Sequence, residues 1–68
     1  MSTNERVLSR LDAYQRNGSR IMDISLALGK HYQFLYQVAW RARKGVLTDA
    51  SASKVLRDLD ALDEGGTL

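Results

Sequence analysis

Glycine stands at positions 18, 29, 45, 65 and 66 and proline nowhere. The chain is thus divided by residues that close helices and holds none that would break one from within. β-Branched residues are sparse, and apolar residues between the glycines recur at three- and four-residue steps, the period of a helix with one buried face. The spacing predicts four helices. Ser2 and Glu5 have capping-box spacing and start a first helix near Thr3, with Val7, Leu8, Leu11 and Tyr14 as its stripe and Asn17-Gly18 as its end. Ser19 is expected to cap a second helix carrying Ile21, Ile24 and Leu28 on one side, with small Ser25 beside them. Met22 and Leu26 point elsewhere, which predicts a helix sandwiched between neighbours until Gly29 ends it.

A third helix is expected from about Tyr32 to Arg43 or Lys44. At about 100° per residue, Phe34, Leu35, Val38, Ala39 and Ala42 face one way. Tyr32, Gln33, Tyr36, Gln37, Trp40, Arg43 and Lys44 face the other, a surface with aromatic, amide and basic groups and no acid. Gly45 ends this helix, and Val46-Leu47 are expected to return the chain to the core. Thr48 then caps a fourth helix with Asp49 at its positive end, Ala52, Val55, Leu56, Leu59 and Leu62 inward, and Lys54, Arg57, Asp58 and Asp60 toward water. The expected fold is a compact all-α four-helix domain over residues 1–64, with 65–68 a flexible C-terminal end.

Size and charge narrow the function. Sixty-eight residues make one domain, and a chain this short buries only ~60% of the surface its unfolded form exposes. With no cysteine and one histidine it has neither a disulfide nor a metal to staple a thin core, so no metal site or cofactor is expected. A large enclosed substrate cavity is disfavoured, and no nucleophile–base set or paired carboxylates can be assembled; an enzyme or a small-molecule substrate is not expected. No apolar run approaches the ~20 residues of a membrane span, and the start lacks the basic and apolar regions of a signal peptide. A cytoplasmic protein is expected. Net charge is +2 but unevenly spread: residues 6–44 hold eight basic side chains against Asp12 and Asp23, whereas residues 49–64 are acidic. A basic body suggests a polyanionic partner.

The stretch from Ile21 to Trp40 fits two helices joined by a turn of about three to four residues beginning at Gly29, the helix-turn-helix unit. Ser25 gives the small side chain that a close crossing needs, and Ile24, Leu28, Leu35 and Val38 occupy the inner positions. In Ile24-Ser25, Leu28-Gly29, Leu35, Val38 and the following 47–55 run LTDASASKV, residues 19–62 resemble the DNA-binding domains of the lambda-type phage repressor and Cro family. Lys30 and His31 depart from the apolar and small hydroxyl residues usual there, and the third helix is longer than in compact members. The resemblance implies a sequence-specific transcriptional regulator, dimeric on double-stranded DNA, whose third helix enters the major groove. It implies base contacts from Tyr32, Gln33, Tyr36 and Gln37, with Gln suited to adenine N6 and N7. Phosphate contacts would come from Arg20, Lys30, His31, Arg41, Arg43 and Lys44. Helix four, or Met22 and Leu26, would supply a dimer surface.

Two other readings share these residues. An excisionase-like architectural factor needs the same groove contacts. A small protein-binding inhibitor would use Tyr, Trp and Arg on one face, the residue types enriched at interface hot spots. Trp40 is expected to pack, over the domain edge or at a dimer contact, and not to meet DNA. The acidic group Asp58, Asp60, Asp63 and Glu64 is expected to be simply solvated.

Overall fold

A computed structural model describes residues 2–65. Within them the chain forms four helices and no strand: α1 Thr3–Arg16, α2 Ile21–Ala27, α3 Phe34–Lys44 and α4 Asp49–Gly65. The Ser2 hydroxyl accepts the Glu5 amide at 3.2 Å and meets the Glu5 carboxylate at 3.1 Å, which fixes the start of α1 as expected. Thr48 does the same for α4 by accepting the Ser51 amide at 3.2 Å.

The ends of α1, α2 and α3 share one device. After α2, Gly29 takes φ +76°, its amide donates to the Leu26 carbonyl at 2.9 Å, and the Lys30 amide donates to Ser25 at 3.0 Å. This is the Schellman arrangement, which needs a left-handed residue and therefore favours glycine. Equivalent bonds close α1 around Gly18 and α3 around Gly45.

Three boundaries differ from expectation. Ser19 does not cap α2: its amide is used to close α1 on the Tyr14 carbonyl, so the N-cap position falls on Arg20, without a side-chain cap bond. The third helix starts at Phe34, not Tyr32. His31 holds the preceding segment as a turn, its Nδ1 accepting the Gln33 amide at 3.2 Å and its carbonyl accepting the Phe34 amide at 2.9 Å. The connection between α2 and α3 is accordingly residues 28–33, longer than the three to four expected. Gly65, expected in the flexible end, is the last residue of α4; residues 66–68 of that expected end lie outside the described residues.

Every other helix packs on α1, most closely α3 and α4, and α2 packs on α3. The core joins Val7 and Leu11 of α1, Ile21 and Ile24 of α2, Leu35 and Val38 of α3, and Val55 and Leu59 of α4. Leu47 reaches it, but Val46 does not and is 62% exposed. Nor is α2 enclosed: α4 lies against α1, so Leu26 is left 55% exposed while Met22 is half-buried.

Two polar links join elements distant in sequence. The Ser25 hydroxyl, fully buried, donates to the Ile21 carbonyl at 3.0 Å and accepts the Leu35 amide at 3.1 Å. Leu35 lies in the first turn of α3, whose amides have no partner inside the helix, so α2 supplies the cap that Gln33 does not. Across the other side, the Arg10 guanidinium forks onto Asp60 at 2.6 Å and Asp63 at 2.8 Å, and the Tyr14 hydroxyl donates to Asp63. The acidic end of α4 is therefore a clasp on α1, not a freely solvated cluster.

Candidate nucleic-acid interface

The direction of each α3 side chain follows from the helical step. Leu35, Val38, Ala39 and Ala42 are buried and Phe34 half-buried, which pins the inner face against α1 and α2. Residues about half a turn away must then point outward. Tyr36 is 51% exposed and Trp40 57%, and Gln37, Arg41, Arg43 and Lys44 are exposed with them. Trp40 does not cover the domain edge: Val38 and Ala42 already occupy the inward direction, and position 40 lies opposite them.

Gln33, Tyr36, Gln37, Trp40 and Arg41 line one open depression of about 420 Å³. Gln33 belongs to the turn and not to α3, yet its position immediately before Phe34 brings it onto the same face one turn ahead of Gln37. Tyr32 also lies in the turn, 46% exposed, with its ring 4.4 Å from that of His31. The Lys44 ammonium lies over the Trp40 ring, 5.5 Å from its centre, where cation and ring face attract each other.

The charges that α3 itself carries are all positive. α3 has no acidic residue in its sequence. Among the described residues the ion pairs are Arg10 with Asp60 and Asp63, and Arg16 with Asp12. Arg20, Lys30, Arg41, Arg43 and Lys44 therefore keep their charges unpaired. Arg43 lies on the α1 side of α3, where Tyr36, Ala39 and Arg43 border Leu8, Asp12 and Gln15. Arg41 lies on the opposite flank, toward α4.

The residues proposed for one interface are not all gathered in one place. Gln33, Tyr36, Gln37 and Arg41 are brought together, with Tyr32 and His31 just before them. Arg20 stands exposed at the start of α2. Lys30 is directed away: it is half-buried, its ammonium lies 5.6 Å from the centre of the Phe34 ring, and it lines a separate groove against α4. The resemblance implies a phosphate contact for Lys30; in the fold its ammonium lies over the half-buried ring of Phe34, on the side toward α4. Sequence reasoning set Trp40 on this face but not among the DNA contacts, and gave Ser25 only its small size.

Among the described residues no group of three or more His, Asp or Glu is placed to hold a metal ion, and no helix is long and apolar enough to cross a membrane. Comparison with known protein families, with curated proteins and with solved structures finds no match for this chain.

Proposed function

We propose that this protein is a sequence-specific duplex-DNA-binding regulator of the phage repressor or Cro type, with α3 and the turn before it lying in the major groove. One observation supports the reading above the others: two glutamines and two aromatic rings share an exposed depression on a helix face free of acid and bordered by an unpaired arginine. The major groove admits a helix and presents a distinct donor and acceptor pattern at each base pair. A primary amide can donate and accept together, which suits Gln33 and Gln37 to base edges. Tyr36 and Trp40 offer apolar contact to thymine methyl groups. Arg43 and Lys44, with Arg20 across the motif, carry charge suited to phosphates and so set orientation more than sequence preference. Binding as a dimer to two half-sites would add the contact area that one small domain lacks, and occupying an operator would block polymerase without a cofactor.

Selection of bound sequences from random duplex DNA, repeated at increasing salt, tests this. The expected result is a recurring half-site and an affinity that falls steeply with salt, since each neutralised phosphate releases counterions. Gln33→Ala and Gln37→Ala should flatten the preference, whereas Arg20→Ala should weaken all duplexes alike. Absence of duplex binding at every salt concentration would overturn the proposal and leave the Tyr36–Trp40 face to a protein partner.

A further inference from the structure

A second concave surface lies on the far flank of α3, where the helix faces α4. Its floor is apolar, formed by Phe34 and Val38 of α3, Leu47 of the connection and Val55 of α4. Its mouth is ringed by cations: Lys30, Arg41 and Lys54 stand around it against one carboxylate, Asp58. None of the three cations has an ion-pair partner among the described residues. Lys30 is held at this mouth by the ring of Phe34.

The volume, about 180 Å³, is below the ~300–1,000 Å³ of pockets that take a whole metabolite. It has room for one apolar side chain. A DNA backbone would satisfy the cations but leave the apolar floor uncovered, and a neutral peptide would cover the floor but leave the cations in excess over Asp58. We propose that this groove docks an acidic segment of a partner protein, one apolar side chain seated against the half-buried ring of Phe34, above Val38 and Val55, and flanking carboxylates facing Lys30, Lys54 and Arg41. The assignment is independent of the DNA reading, since only Arg41 belongs to both surfaces. Through that shared arginine the two surfaces touch, so an occupant of the groove would reduce the charge available on the outer face of α3.

The test uses the full chain, isotopically labelled, titrated with a short peptide bearing a single leucine between aspartates and glutamates. Amide resonances of Leu47, Ser51 and Val55 should move, and those of Gln33 and Gln37 should stay. Replacing the peptide's leucine with serine should abolish the shifts. Lys54→Glu, a change at an exposed position of α4, should weaken binding about tenfold or more through charge reversal at the rim. Three results would overturn the proposal: no movement at the groove, equal movement with the serine peptide, or binding undiminished by Lys54→Glu in a variant whose spectrum shows it folded. Should a short duplex move Leu47, Ser51 and Val55 and the peptide not, the groove belongs to the nucleic acid.

Discussion

Ser25 shows how much one side chain decides in a chain this small. Its hydroxyl sits fully buried between two helices and serves both, bonding back to Ile21 and capping the amide of Leu35. Ser25→Ala keeps the small volume but leaves that amide buried without an acceptor, a loss of about 1–2 kcal/mol measurable by denaturant unfolding. Spacing alone marked position 25 as small; the partner ten residues on was invisible because caps are sought within a few residues of a helix start. Tyr14 is the second such residue. Burial, and then its bond to Asp63, hold its phenol above the ordinary tyrosine range. The proton is thus bound more tightly in the folded chain than in the unfolded one. Its contribution is complete below about pH 10 and is lost as pH rises through the raised folded value. Melting temperatures followed into alkali should fall above about pH 10, and the fall should be shallower in Tyr14→Phe.

At the scale of elements, the glycines carried most of the information. Each of Gly18, Gly29 and Gly45 lies in the left-handed region and closes a helix, so the breaks between stretches fell where punctuation placed them. At Gly29 a Cβ would meet nothing within 4 Å, so the cost of Gly29→Ala is conformational and not steric crowding. A destabilisation of about 1 kcal/mol is expected, seen as a lower unfolding midpoint with an unchanged denaturant slope. Starts were less legible than stops. Ser19 has the chemistry of a cap, but the closing bond of α1 claims its backbone first. Tyr32 and Gln33 continue the outward pattern of α3 without being helical, because His31 turns the chain beneath them. The outward face was nonetheless readable, since Gln33 projects onto it from the turn. For Trp40 the angular step gave the right direction, outward beside Tyr36 and Lys44, and only the packing role expected of a large aromatic fails, since the ring is 57% exposed.

At the scale of the molecule, the chain fills 28 × 22 × 20 Å with a radius of gyration of 10.9 Å, the size of a compact chain of this length. The four-helix, all-α architecture was legible from stripe and punctuation. The clasp of Arg10 and Tyr14 on α4 was not, because its partners lie some fifty positions apart along the chain and surface charges carry no pattern to pair them. Removing α4 takes away Ala52, Val55, Leu59 and Leu62 from a core that has little to spare. A fragment of residues 1–45 should therefore show no cooperative melting and little helical signal by circular dichroism; a folded fragment would mean that α1, α2 and α3 suffice.

Because α1 is the surface on which the other three helices assemble, its partners all follow it along the chain. Val7 and Leu11 are covered in full only when distant segments, as far along the chain as Leu59 and Asp63, close over the first helix. A chain built this way is expected to gain its shape in one concerted step, and not by adding finished pieces one to another.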